Sequence, residues 1–373
     1  MENNNSVAFV ATINEIKPIE GASNIEQAVI GGWNSVIPIG THKVGDMVII
    51  ATTDAVIPED LANHLQIKSY LRNGNRVRTV KLRGVYSECL IIGDTKAFYA
   101  NNGQDMMPRF KITKYEPPVR MVNVGGSKGR KIRYQDNPHF HIYYKFPNLK
   151  NVPGMFNQQD TVEITRKIHG TNARYGIVKK VSLSIWDRIK ILFGNKWAAY
   201  DFVVGSHNVE KGSDSQGFYD TNVWFEIEKK YEIKKKLWDY VKNDSYDVEI
   251  GDGITLYGEI YGAGIQKGYD YGLNSIKFLG FDVKENGEYL DPINAKLLIE
   301  NMLNLPYVEV LHFGNWSQEI QDKFTFNNYI SGTKTPEEGI VIKHFSGKRE
   351  KIAKVINPDY LIFAEKHNVG DSH

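Results

Sequence analysis

The run Glu163-Ile164-Thr165-Arg166-Lys167-Ile168-His169-Gly170-Thr171-Asn172 decides the reading of this chain. Its first part is apolar in alternation and β-branched, as strand surfaces are. The strand-like part ends on a lysine. Two residues on comes a polar side chain, and then a glycine, which marks a sharp turn. An amine held where a strand meets a turn is a candidate nucleophile for covalent catalysis. Most strand-end lysines are only solvated charges, so the assignment rests on what stands elsewhere in the sequence.

Working outward, the chain has 373 residues, enough for two or three domains. Apolar residues make up 41% and charged residues 24%, the balance of a globular protein with a sizeable core. The formal net charge of +2 does not by itself announce a nucleic-acid partner. Local charge says more. Between Leu61 and Ser87 stand Lys68, Arg72, Arg76, Arg78, Lys81 and Arg83 with no acid among them. A second basic region holds Arg109, Lys111, Lys114, Arg120, Lys128, Arg130, Lys131 and Arg133 against Glu116 alone. Either suits a phosphate backbone, and either reads equally well as a solvated surface. Cys89 is the single cysteine, so no disulfide framework and no cysteine-based zinc site forms within one chain. The N-terminus lacks the pattern of a secretory signal, and no apolar run is long enough to span a bilayer. The expectation is a cytoplasmic, monomeric protein with no membrane partner.

The expected fold class is α+β. Residues 6 to about 100 read as short strands separated by turn signals: Ser6–Ile19, Trp33–Ile39, Met47–Thr52, Arg76–Arg83 and Cys89–Ile92. Such a pattern points to a small OB-type barrel, with a short helix opening at Pro58-Glu59. The expected boundaries are an OB domain over 1–110, a linker over 111–150 and a catalytic domain over 151–373. His139 and His141 alternate in a Phe/Tyr-rich run read as a strand. Two histidines on one strand face can bind a metal, but no third ligand is in view, and packing or RNA contact is the simpler reading. Leu183–Tyr200 is strongly apolar and reads as a buried helix rather than a membrane contact. Asn222–Asn243 reads as one amphipathic helix with Trp224, Ile227, Tyr231, Trp238 and Val241 on its apolar face. Asp291-Pro292 reads as an N-cap with proline at the first helical position, opening a helix over Ile293–Leu303.

Four further blocks stand downstream. Glu259 is the one acid in the strand-like Leu256-Tyr257-Gly258-Glu259-Ile260-Tyr261-Gly262. Phe281 precedes Asp282 in Ile276-Lys277-Phe278-Leu279-Gly280-Phe281-Asp282-Val283, with Phe278 assigned to the core. Glu337-Glu338-Gly339-Ile340-Val341-Ile342-Lys343 and Lys351-Ile352-Ala353-Lys354-Val355-Ile356-Asn357-Pro358 follow. Strand periodicity puts Lys351 and Lys354 on opposite faces. With Lys167 these blocks resemble, in order, the motifs of the covalent nucleotidyltransferases: polynucleotide ligases and capping enzymes. Lys-x-His-Gly-Thr-Asn is similar to the RNA ligases that seal nicks in duplexes. Roughly twenty residues follow Lys354, which leaves no room for the OB domain that DNA ligases and capping enzymes carry there. Ile16-Lys17-Pro18-Ile19-Glu20-Gly21-Ala22, Gly31-Gly32-Trp33, Val44-Gly45-Asp46, Lys81-Leu82-Arg83-Gly84 and Lys114-Tyr115-Glu116-Pro117-Pro118 resemble the branch with an N-terminal OB domain.

That resemblance implies an adenylyltransferase (ATP-grasp-like ligase) domain of antiparallel sheets and helices. It implies an ATP-dependent RNA ligase acting on duplex RNA or RNA-containing nicked duplexes, with ATP and Mg2+ or Mn2+ as cofactors. Lys167 would take AMP. Glu259 and Glu338 would hold the metal, and Lys354 would clamp the α-phosphate. Asn172, His207, Phe281, Lys343 and Lys351 complete the implied nucleotide-binding set, with Phe281 stacking on the base. Two departures stand out. Gly205-Ser206-His207-Asn208 carries His207 where the family has arginine, and the last block lacks the usual second lysine after Lys354. The rival readings are a non-catalytic OB-containing RNA-binding protein and a capping-type guanylyltransferase or DNA ligase.

Overall fold

The computed structural model describes residues 6–72, 74–95, 99–115, 137–207, 222–243, 251–367 and 369. Its contacts divide into two units. The first holds residues 1–118, 147–157 and 353–366; the second holds 119–146, 158–352 and 367–373. Residues 151–157 and 353–366, expected in the catalytic domain, and 147–150 of the expected linker therefore group with the N-terminal unit.

The first unit is built on a five-stranded antiparallel sheet in the order Trp33–Pro38, Ile25–Ile30, Ala8–Pro18, Met47–Thr52, Cys89–Asp94. Ala8–Pro18 serves two neighbours. Its first half pairs with Met47–Thr52 and its second half with Ile25–Ile30, with a bulge between Ile13 and Glu15 where the strand changes partner. A bulge bends and twists a strand, which is how a sheet curls into a barrel. The two ends of the sheet are tied by Glu88 N–H to Asn34 O (2.8 Å), Val36 N–H to Ser87 Oγ (3.1 Å) and Ser35 Oγ to Cys89 O (2.9 Å). This is the expected OB-fold. Met47–Thr52 is buried on both faces, between the Trp33–Ile50 side and the Val7–Ile57 side of the core. That accounts for its unbroken apolar run. The helix expected at Pro58 spans Glu59–His64. Ile25–Ile30 was not read from the sequence, and only Val80–Leu82 of the run Arg76–Arg83 is a strand.

The first basic stretch is largely spoken for. Arg76 binds Asp54, Lys68 binds Glu59, Arg78 lies 3.2 Å from Glu365, and Lys81 lies 3.7 Å from Asp359. Acids outside the run, two close before it and two near the other end of the chain, neutralise a run that carries none of its own. The second basic region falls mostly in 116–136, outside the described residues. A helix, Met107–Phe110, lies just before the stretch expected to be a linker, and a short strand, Thr113–Lys114, lies within it. The run around His139 and His141 forms no strand, and His139 Nδ1 lies 3.4 Å from Asp252.

The second unit contains two antiparallel sheets. In one, Val310–Asn315, Thr161–Lys167 and Gly339–His344 lie side by side in that order. In the other the order is Tyr200–Gly205, Thr171–Lys179, Gly253–Gly262, Ile276–Glu285, Glu288–Tyr289. The chain passes from the first sheet to the second through Ile168-His169-Gly170. The helix expected over Asn222–Asn243 is two, Val223–Tyr231 and Ile233–Val241, broken at Glu232, which sits at φ 54°. The break lets Ile233, Leu237 and Val241 join Trp224 and Ile227 against the second sheet. Asp291 caps its helix as expected by accepting the Asn294 N–H at 2.9 Å. Beyond Leu297 that helix widens into a π-helical turn, Leu298–Met302. Leu183–Tyr200 departs most from expectation. Its helix, Ile185–Leu192, buries no residue.

Candidate active site

Lys167 is the last residue of its strand, and the ladder with Gly339–His344 ends at the pair Lys167 with Gly339. That register sets Glu338 beside the lysine. Lys167 Nζ donates to Glu338 Oε1 at 2.5 Å. The other carboxylate oxygen of Glu338 is buried and has no hydrogen-bond partner among the described residues. His169 Nδ1 lies 3.8 Å from it, beyond hydrogen-bond reach.

The turn between the sheets is held by several contacts. A Cβ on Gly170 would stand 2.2 Å from Ile260 O and 2.8 Å from Glu259 Cγ, so close approach, not a special φ, requires glycine here. Gln266 donates to the Gly170 carbonyl. Tyr271 Oη accepts the His169 N–H at 2.7 Å and donates back to its carbonyl at 3.1 Å. Tyr269 meets the His169 ring edge-on at 4.6 Å and donates to Pro336 O at 2.8 Å, tying the turn to the segment that carries Glu338.

The second sheet contributes Asn172 and Glu259, which face each other directly across the ladder of Thr171–Lys179 with Gly253–Gly262. Burial pushes the Glu259 carboxyl up to about 8 against the pull of the Lys167 ammonium; the Glu338 charge adds to the rise, and the Gly170 N–H opposes it. Asn172 Oδ1 is buried without a hydrogen-bond partner among the described residues, while its backbone carbonyl accepts from Trp224 Nε1 at 3.0 Å.

Phe281 sits on a bulge. Tyr257 pairs with Asp282 and Gly258 with Gly280, so Phe281 is the extra residue. Bulges re-aim side chains near active sites. Its half-buried ring meets Tyr143 at 4.9 Å, edge-on. Phe278 is fully buried, and a Cβ on Gly258 would strike its ring at 2.3 Å.

Lys343 is buried, and its ammonium bonds the Phe281 carbonyl at 2.6 Å and Asp282 at 3.3 Å. Arg349 and Tyr143 also reach Asp282, each at 2.8 Å. Lys351 Nζ bonds both carboxylate oxygens of Asp160 at 2.8 Å. His207 is half-buried, and Arg174 holds its neighbour by donating to Ser206 O at 2.8 Å. Asn208 lies outside the described residues. Lys354 is half-buried on Ile352–Ile356, its backbone N–H on Pro147 O at 3.0 Å, and groups with the first unit.

Lys167, Glu338, Glu259 and Asn172 are thus brought together in one place. Among the described residues no group of three or more His, Cys, Asp or Glu side chains gathers as a metal site. Two carboxylates and an open Glu338 oxygen fit a hard cation that keeps most of its waters. The sequence reading missed Tyr269, Tyr271, Gln266 and Arg174. The three tyrosine and glutamine positions cluster in Gln266–Tyr271, a segment with no periodicity to mark it.

A family model described as RNA ligase matches residues 160–356, and one described as an OB-fold domain matches residues 7–93. No match was found among curated proteins. Solved structures of the Naegleria gruberi RNA ligase are similar throughout. A mutant with AMP and Mn is 24% identical with a TM-score of 0.69, over 97% of this chain and 99% of that one. A mutant with ATP and Mn is 24% identical with a TM-score of 0.68 over the same shares, 97% and 99%. The same ligase with PPi gives 24% and 0.67, again over 97% and 99%. At that identity the likeness establishes the fold. The family model covers more than half of the sequence, and the chain belongs to the RNA ligase family.

Proposed function

We propose that the protein is an ATP-dependent ligase that seals 3′-OH/5′-phosphate nicks in duplex RNA or RNA-containing duplexes, with AMP carried covalently on Lys167. The observation that carries this reading is the Lys167–Glu338 contact at 2.5 Å, with Glu259 close enough to feel both charges. In the first step Lys167 Nζ attacks the α-phosphorus of ATP, a P–N bond forms, and pyrophosphate leaves. In the second the 5′-phosphate of the nick attacks the same phosphorus, and Lys167 leaves as the amine. In the third the 3′-OH attacks the activated 5′-phosphate, and AMP departs.

The amine must lose its proton before the first step. The Glu338 carboxylate is its nearest partner and holds it in place. Glu259 and Glu338 would hold Mg2+ or Mn2+, which supplies positive charge beside the transferring phosphate. The Naegleria structures, solved with ATP or AMP and Mn, support the choice of nucleotide and metal. Phe281 offers its ring to the adenine, and Asn172, opposite Glu259 with a buried, unsatisfied oxygen, joins the nucleotide-binding set. Lys343 and Lys351 take supporting roles, since Asp282 and Asp160 already engage them. The last block assigns Lys354 to the α-phosphate, and His207 stands in for the arginine of the phosphate-contacting block.

The test is incubation with each α-labelled nucleoside triphosphate and a divalent cation. ATP should label the protein and Lys167→Ala should not. A label that survives Lys167→Ala, or one obtained only from GTP, overturns the assignment. Nicked duplexes with RNA or DNA at the 3′-OH side then establish the polynucleotide.

A further inference from the structure

The helix Ile185–Leu192, with Phe193 at its end, carries a run of exposed apolar side chains that the site does not use. Ile185 is 76% exposed, Trp186 72%, Leu192 83% and Phe193 83%, with Ile189 also exposed. At about 3.6 residues per turn these five fall on one stripe. Arg188 and Lys190 fall at its two margins, both exposed, and neither has an ion-pair partner among the described residues. Lys196 follows, exposed, its ammonium 4.8 Å from the centre of the Trp197 ring. The one acid of the helix, Asp187, is bound by Lys180 at 2.8 Å and closes a capping box with Ser184. The helix is therefore preformed, and its free charge is positive.

We propose that this helix docks the protein on an anionic lipid surface. An apolar stripe with tryptophan and phenylalanine, bordered by basic side chains, is the pattern of a helix that lies in the interface of a membrane. The basic margins would meet lipid phosphates while their stems cover the apolar edge. The alternatives fit less well. Ile185, Ile189 and Leu192 offer nothing for bases to stack on, as a single-stranded RNA platform must. A symmetric pair of these helices would bring its own basic margins together. Nothing here spans a bilayer: no described helix is long and apolar enough. The contact is peripheral and reversible.

The test is co-sedimentation of the full chain with vesicles of phosphatidylcholine containing phosphatidylserine, against phosphatidylcholine alone. Pelleting is expected only with the anionic vesicles, and is weakened by salt. Trp186→Ser with Phe193→Ser should reduce it roughly tenfold or more, and Arg188→Glu with Lys190→Glu should reduce it as well. Both double variants should keep the wild-type melting temperature, because none of the four side chains is buried. Failure to pellet at low salt overturns the proposal, as does equal pelleting by the variants. Light scattering that shows a dimer lost in the serine variant, with no vesicle binding, assigns the stripe to self-association and overturns it too.

Discussion

Lys167 Nζ and Glu338 Oε1 meet at 2.5 Å beside the last rung of the ladder between Thr161–Lys167 and Gly339–His344. The contact joins the proposed nucleophile to a carboxylate 171 positions away in sequence. In water a lysine–glutamate pair contributes little. Here Glu338 is 7% exposed and its second oxygen is unsatisfied, which is costly unless a ligand completes it. Glu338→Ala should therefore lower the rate of ATP-dependent labelling by about 10²-fold or more, in the range seen when a preorganised charge is removed from a reacting phosphate or acyl group. The melting temperature should change little or rise. Labelling at the wild-type rate would remove Glu338 from the site.

Gly170 is a second point of leverage. Even alanine would place a carbon 2.2 Å from a backbone oxygen of the neighbouring strand. Backbone cannot swing away as a side-chain tip can, so the turn must shift. Gly170→Ala should cost about 1–3 kcal/mol, the usual range for overpacking, as read by urea unfolding. Because the turn carries both Lys167 and Asn172, labelling should fall further than the stability loss explains. A variant with normal stability and normal labelling would show the turn to be slack.

The raised Glu259 carboxyl predicts a pH dependence with a definite sign. Below about 8 the group carries a proton that it must release to accept a cation. Divalent-metal affinity of the nucleotide-free protein should thus rise with pH, by up to about tenfold per unit, and level off above about 8. Calorimetry in buffers of different ionisation heat should register the released proton. The linkage to folding runs the other way. A carboxyl raised above its ordinary 4.5 binds its proton more tightly in the folded state, so the metal-free protein loses stability as pH rises from there through about 8. Glu259→Gln should abolish both dependences, and persistence of either would point to a different group.

Much of this arrangement could be read from the chain because it is local. The strand before Lys167, the N-cap at Asp291 and the strand Met47–Thr52 each follow from the local residue pattern. What could not be read depends on partners far away. The basic run from Lys68 to Arg83 looked free because none of its acids lies within it, and two of them, Asp359 and Glu365, sit nearly 300 positions on. The single helix expected at Asn222–Asn243 breaks because Glu232 adopts a left-handed conformation that no propensity favours. Ile185–Leu192 has the composition of a buried helix, and only the tertiary structure shows its apolar side chains exposed among the described residues. Lys343 reads from its block as one of the nucleotide-binding set, and only the tertiary structure shows its ammonium bonded to the Phe281 carbonyl.

That last contact yields a prediction about the base. Phe281 is the extra residue of a bulge, and Lys343 fixes its carbonyl while Asp282 fixes Lys343. Removing the ring and removing its support should therefore have separable effects. Phe281→Ala should raise the KM for ATP about 5- to 150-fold, the equivalent of about 1–3 kcal/mol of stacking, and Phe281→Trp should retain most of the affinity. Asp282→Asn leaves the buried Lys343 and the half-buried Arg349 without their countercharge, and breaking a buried pair such as Lys343–Asp282 costs about 3–5 kcal/mol. It should lower the urea midpoint strongly as well as raise KM. The Asp282 carboxyl is held below its ordinary range by Lys343 and Arg349 despite the opposing effect of burial. Its contribution to stability is present at neutral pH and is lost as pH falls from about 3.8 through the depressed value. If Phe281→Ala leaves the KM for ATP unchanged while Asp282→Asn raises it, the base is held by something other than the bulged ring.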